Sequence, residues 1–193
     1  MEICFATNNQ HKLNEVRALL NPELKIVSLE DIGCREELKE DGATLESNAL
    51  QKAEYVYQQY KINCFADDTG LEVEALGGEP GVISARYAGD HRNNEDNIRL
   101  LLKNLKNHKN RKAQFRTVIS LILEGQIYKF QGVVKGVIIN EKRGEEGFGY
   151  DSVFIPDGYH RTFAEMTMAE KGKISHRGKA VEELVRFLKN SDR

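Results

Sequence analysis

The spacing of apolar residues changes period along the chain, and each change predicts an element. Residues 2–6 are a short apolar run broken by Thr7-Asn8-Asn9, which predicts a strand. From Gln10 the period becomes helical, with Leu13, Val16 and Leu20 in register and Leu19 widening the stripe. Residues 25–29 predict a second strand, and the charge run EELKED at 36–41 a solvated loop. Thr44 is placed to cap a long helix whose apolar line is Leu45, Ala49, Ala53, Val56 and Tyr60. Residues 62–66 predict a strand that ends at Asp67 and Asp68. After Thr69-Gly70, Leu71, Val73 and Ala75 alternate with Glu72 and Glu74, which predicts a separate, half-buried strand.

Beyond the glycine-rich loop at 77–81, residues 93–106 carry Ile98, Leu101, Leu102 and Leu105 on one helical face. Residues 113–123 are apolar on both parities and predict a strand buried on both faces. Glu124-Gly125 turns it into a second strand over 126–134, and 136–140 continue the sheet. Residues 144–158 interrupt the pattern as a loop. Thr167 and Glu170 have the spacing of a capping box, and Val181, Leu184, Val185 and Leu188 line the last helix.

Composition narrows the class. With 193 residues, 40% hydrophobic and 30% charged, the chain supports one good-sized core or two small lobes. A net charge of -2 supplies no bulk attraction for nucleic acid or a membrane surface, so neither is expected as a partner. Three widely spaced cysteines without a CxxC pair fit reduced thiols in a cytoplasm. No apolar run approaches the roughly 20 residues that span a bilayer. MEICFATNN lacks the basic-then-apolar order of a signal peptide, so none is expected.

Candidate chemistry gathers at a few places. Asp67 and Asp68 at the end of an apolar strand are costly unless a divalent cation or a basic partner compensates them. A strand leading through a polar turn into a helix at Gln10 aims free N–H groups outward, a ready anion site. His11 and Lys12 oppose the dipole of that first turn, and a phosphate would account for them. Asn48 and Lys52 align one turn apart on one face of the capped helix. Phe148 and Tyr150, flanked by Gly147 and Gly149, offer rings on a backbone that can approach a flat ligand. Lys171, Lys173, His176 and Arg177 concentrate positive charge before the last helix.

Together, FATNNQHKLNEV, ESNALQKA at 46–53, FADDTGLEVEALGGEPGVISARYAG, GFGYD at 147–151 and EKGKISHRGKA at 170–180 resemble the inosine triphosphate pyrophosphatase family, from Phe5 to about Ala180. The resemblance implies an elongated mixed α/β fold, with a long sheet flanked by helices and an active-site groove between two lobes. It implies a single nucleoside-triphosphate pyrophosphatase domain over 1–193, acting in the cytoplasm as a homodimer. The implied reaction cleaves XTP, ITP and dITP to the monophosphate and pyrophosphate, with Mg2+ as cofactor. Thr7, Asn8, Asn9, Gln10, His11 and Lys12 would form the triphosphate cradle, with Lys12 and Lys52 neutralising phosphate and Asn48 beside them. Asp68 would be general base and metal ligand, with Thr69 touching substrate where a serine is frequent. Phe148, Gly149, Tyr150, Asp151, Lys171, His176 and Arg177 would form the nucleobase pocket. Lys39 stands where an acidic metal ligand is expected, so its neighbour Glu40 is carried in that role, with Asp67 and Asp68. Two alternatives stay open: a pyrophosphatase for another nucleoside triphosphate, such as a modified or pyrimidine one, and a nucleotide sensor without catalysis.

Overall fold

The computed structural model describes residues 1–20 and 24–191. In chain order the helices and strands are β1 (Glu2–Phe5), α1 (Gln10–Leu19), β2 (Lys25–Val27), α2 (Leu45–Tyr60), β3 (Cys64–Val73), α3 (Asn94–Leu105), β4 (Lys112–Leu123), β5 (Gln126–Ile138), β6 (Phe154–Pro156), α4 (Met168–Ile174) and α5 (His176–Ser191). The strands form one sheet in the order β2-β1-β3-β4-β5-β6. β1 runs parallel to both β2 and β3, and β5 pairs antiparallel with β6, so the sheet is mixed and the α/β class is borne out. Among the described residues no helix is long and apolar enough to cross a membrane.

The chain divides into two compact units. The first comprises residues 1–68, 117–132 and 177–193, and the second 69–116 and 133–176. In the first unit, Ile3, Phe5, Leu13, Val16, Phe65, Ile119, Leu121, Val181, Leu184 and Leu188 pack into one apolar cluster. Phe5 and Phe65, paired in register on β1 and β3, stack with ring centroids 4.6 Å apart. A further cluster holds Cys4, Cys34 and Cys64 with Val27, Leu38, Ala53 and Val56. In the second unit, Leu71, Val73, Ile98, Leu101, Leu105, Phe115, Ile138, Phe154 and Phe163 make the core.

Several expectations need correcting. The two strands expected around the paired aspartates are one continuous strand, β3, with Asp67 and Asp68 in its interior. Gly70 does not turn the chain. A Cβ there would sit 2.6 Å from the carbonyl oxygen of Gly81, so glycine is required for close approach of the following loop. Doubly buried character in β4 is confined to residues 117–122, whereas 112–116 alternate buried with more exposed positions. β5 runs unbroken through Lys135, and the expected loop at 144–158 contains the short strand β6. Three residues are too few for periodicity to reveal. The helix starts hold: Asn9 caps α1, Thr44 caps α2 in a box with Ser47, Asn93 caps α3, and Thr167 boxes with Glu170.

Candidate active site

In the first unit the site is built from β3, α1, α2 and the start of α5. Alternation along β3 sends Asp67 and Asp68 to opposite faces. Asp67 accepts from Lys12 Nζ at 3.1 Å on one carboxylate oxygen and from Arg177 Nε at 3.0 Å on the other. Arg177 Nη1 also pairs with Glu15, so the fully buried guanidinium lies between two carboxylates. Burial pushes the Asp67 carboxyl up, but Lys12, Arg177 and Lys52 outweigh it and hold the group well below the usual carboxylate range. Lys12 goes the other way. Burial lowers its ammonium pKa more than Asp67 restores it.

Asn9 explains why Lys12 turns inward. Its side-chain oxygen accepts from the N–H groups of His11 and Lys12, which fixes the first turn of α1. Those two donors are therefore met by the cap itself. Thr7 Oγ1 accepts from Asn9 N, while Gln10 bonds Asn14 and His11 is exposed. Asn8 holds the 36–41 loop: its Oδ1 accepts from Leu38 N and its Nδ2 donates to the Glu36 carbonyl. Of the six expected cradle residues, Lys12 is the one drawn into the buried ionic network, and Asn8 serves the neighbouring loop.

Asn48 and Lys52 share a face of α2, as their spacing predicted, and the structure buries both side chains. Asn48 accepts from Gly42 N at 2.7 Å, which leaves its amide nitrogen to donate to Asp68 Oδ2 at 3.0 Å. Lys52 Nζ donates to Glu40 and to the carbonyl of Asp67. Asp68 is buried, and that burial raises its pKa against the pull of Lys12 and Lys52, with Glu40 adding to the rise. Two adjacent acids are thus shifted in opposite directions, Asp67 down by the cations bonded to it and Asp68 up by burial that Lys12 and Lys52 do not overcome.

The three carboxylates expected to hold a metal differ in their surroundings. Both Asp67 oxygens already accept from cations, and among the described residues no group of three or more His, Cys, Asp or Glu side chains is arranged to hold a metal. Asp68 and Glu40 remain as hard oxygen donors. That set fits magnesium, which is commonly held by one or two carboxylates together with substrate phosphates.

The second unit carries the aromatic part. Phe148 N donates to Asp151 Oδ2 at 3.1 Å, and Lys171 Nζ reaches the same oxygen at 2.7 Å. The ammonium also lies 5.0 Å from the Phe148 ring centroid and 5.6 Å from that of Phe163. Gly147, at φ 72°, allows the turn; a Cβ there would sit 2.2 Å from Asp151 Oδ2. Phe148 and Gly149 are half-buried, as is Thr69 on β3. His176 stacks on Phe115 at 4.7 Å between centroids.

Two expected pocket residues are placed differently. Tyr150 is buried in the core and donates its hydroxyl to the Ser84 carbonyl at 2.7 Å, so its ring is not offered to a ligand. Arg177, expected to read the base, has its Nε and Nη1 engaged by Asp67 and Glu15, at 1% exposure. Sequence reasoning missed Glu15 and Ser84. Glu15 did leave a signal, since it interrupts the buried stripe Lys12, Leu13, Val16 of α1. Ser84 left none.

A family profile described as the Ham1 family matches residues 3–187. A dITP/XTP pyrophosphatase of Flavobacterium johnsoniae is 53% identical over 188 residues, covering 97% of this chain and 98% of that protein. The dITP/XTP pyrophosphatase of Porphyromonas gingivalis is also 53% identical, over 97% of each. Among solved structures, the Ham1 protein of Staphylococcus aureus superposes with a TM-score of 0.88 at 40% identity, covering 99% of this chain and all of that one. A HAM1 protein from Coxiella burnetii gives 0.89 at 36%, covering 98% and 99%.

Proposed function

The chain belongs to the Ham1 family, and from that premise we propose that it hydrolyses non-standard purine nucleoside triphosphates (XTP, ITP and dITP) to the monophosphate and pyrophosphate. Residues 1–193 act as one nucleoside-triphosphate pyrophosphatase domain, clearing the cytoplasmic nucleotide pool as a homodimer. The observation that carries the reading is the pair of adjacent aspartates tuned apart: Asp67 held ionised by Lys12 and Arg177, Asp68 raised by burial. A carboxylate with a raised pKa, close to lysines, is suited to take a proton from water while charge collects on phosphate.

In this mechanism water attacks the α-phosphorus and pyrophosphate leaves. Asp68 accepts the water's proton, and its bond from Asn48 orients the carboxylate for that transfer. Lys12 and Lys52 contribute positive charge toward the phosphates, with Thr7, Asn9, Gln10 and His11 around them. Asp67 anchors both Lys12 and Arg177. Magnesium, held by Asp68 and Glu40, would neutralise the triphosphate and polarise its oxygens. Phe148 stacks on the base while Lys171, fixed by Asp151, offers N–H donors to a 6-oxo group, with Gly149, Thr69 and His176 completing the contacts.

The test is phosphate release from XTP, dITP, ITP, ATP, GTP and dUTP, with and without added inorganic pyrophosphatase. The expected result is phosphate from the first three, seen only when pyrophosphatase is present and abolished by EDTA. Orthophosphate without the helper enzyme would place attack at the γ-phosphorus. Binding without turnover would leave a sensor, and a preference for dUTP a pyrimidine enzyme. Sedimentation velocity checks the dimer.

A further inference from the structure

Ser84 sits in the short helical segment Gly81–Arg86 that follows the glycine-rich loop, far in sequence from any residue given a chemical role above. It is buried, and its hydroxyl works in both directions. Oγ accepts from Leu71 N at 2.9 Å and donates to the Gly81 carbonyl at 2.6 Å. The Ser84 carbonyl accepts from the Tyr150 hydroxyl at 2.7 Å. The segment is also held from α3, where Asn97 donates to the Ala85 carbonyl and accepts from Ala88 N. Leu71 lies two residues beyond Thr69 on β3, and Tyr150 lies beside Asp151, which fixes Phe148 N and Lys171 Nζ.

We propose that Ser84 is a positioning residue for nucleobase recognition: a two-link tether from β3 through Ser84 to Tyr150 that sets where Phe148 and Lys171 stand relative to Thr69. This rests on the reading of Phe148 and Lys171 as the base-binding pair. Geometry supports a tether over ordinary packing. A bare 3-10 segment could have met Leu71 N with water, yet the side chain reaches a β3 donor while the backbone of the same residue takes the phenol. Because the two links lie in series, cutting either one releases the same loop, and cutting both releases nothing more.

The test measures KM and kcat for XTP in Ser84→Ala, Tyr150→Phe and the double variant. Inhibition by inorganic tripolyphosphate, which has no base, is measured alongside. Losing either buried hydrogen bond should raise KM about tenfold, with a smaller effect on kcat. The double variant should again show about tenfold, not the roughly hundredfold of independent sites. The tripolyphosphate inhibition constant should stay within about twofold throughout. Additive KM effects, or tripolyphosphate binding weakened in parallel, would overturn the tether, because general loosening predicts both. Lys171→Met separates this inference from its premise. If that variant leaves KM for XTP unchanged, the base-pocket reading fails and the tether with it. If it raises KM while Ser84→Ala does not, the pocket stands and the tether alone is refuted.

Discussion

The two units solve the burial of charge in different ways. The first buries a network: Lys12, Glu15, Lys52, Asp67, Asp68 and Arg177 are all buried, and each of these cations bonds a carboxylate. The second buries one pair, Lys171 with Asp151, and surrounds the ammonium with the faces of Phe148 and Phe163. Desolvating a charge costs several kcal/mol, so a network is retained where its charges meet a charged ligand or hold those that do. An isolated pair among aromatic rings suits a flat, nearly neutral ligand. On the proposed function, phosphate chemistry falls to residues of the first unit and base contacts to residues of the second.

The sharpest way to break this contrast is Asp67→Ala. It removes the carboxylate bonded to Lys12 and one of the two that hold Arg177, and the expected loss is about 3–5 kcal/mol in urea unfolding. Asp151→Ala removes the carboxylate from one cation, Lys171, whose rings remain, and from Phe148 N, and the loss should be at or below about 3 kcal/mol. Equal losses would mean that the network is no more interdependent than the single pair.

Asp68→Asn separates chemistry from stability. The kcat for XTP should drop by roughly 10²-fold or more. Melting temperature should hold or rise at neutral pH, because the amide replaces a carboxylate whose charged form burial disfavours. Turnover near that of the parent protein would remove Asp68 from the mechanism.

The adjacent aspartates also predict the order of events on acidification. Asp68 has a folded pKa above its unfolded value, and the proposed mechanism needs its ionised form, so kcat/KM should fall as pH drops through that raised value. Asp67 has a depressed folded pKa. Its stabilisation is complete above the unfolded value, near 3.9 for an aspartate, and is lost only as pH falls through the lower folded one. Activity should therefore fail while the melting temperature is still high. A common midpoint in the pH–rate and pH–stability profiles would contradict the opposite tuning.

Phe148→Ala should weaken binding of XTP by about 1–3 kcal/mol, read in KM, with little change in melting temperature because the ring is only half-buried. The smallest effect is expected at Ser120, whose buried hydroxyl has no hydrogen-bond partner among the described residues. Ser120→Ala should be neutral or stabilise the protein by up to about 1 kcal/mol in urea unfolding, since it removes a group desolvated without compensation.

Much of this was legible in the chain. Helix starts were readable at Thr44 and Thr167 because a capping side chain acts on backbone groups two or three residues away. Asn48 and Lys52 were readable because residues one turn apart share a helix face. β3 was misread because an extended Asp-Asp-Thr-Gly looks like a turn until the Gly81 backbone is seen lying against Gly70.

The sequence by itself determined the family, the α/β class and the helix starts at Thr44 and Thr167, since periodicity, capping and motif order are local properties of the chain. Tertiary structure alone decided how those residues divide the work. Glu15 and Asp67 are far from Arg177 in sequence, yet their carboxylates take the guanidinium that its motif offered to a base. Lys12 and Arg177 depress Asp67, while burial raises its neighbour Asp68. A pKa and a hydrogen-bond partner depend on what comes close through space, and those neighbours arrive from other elements of the fold.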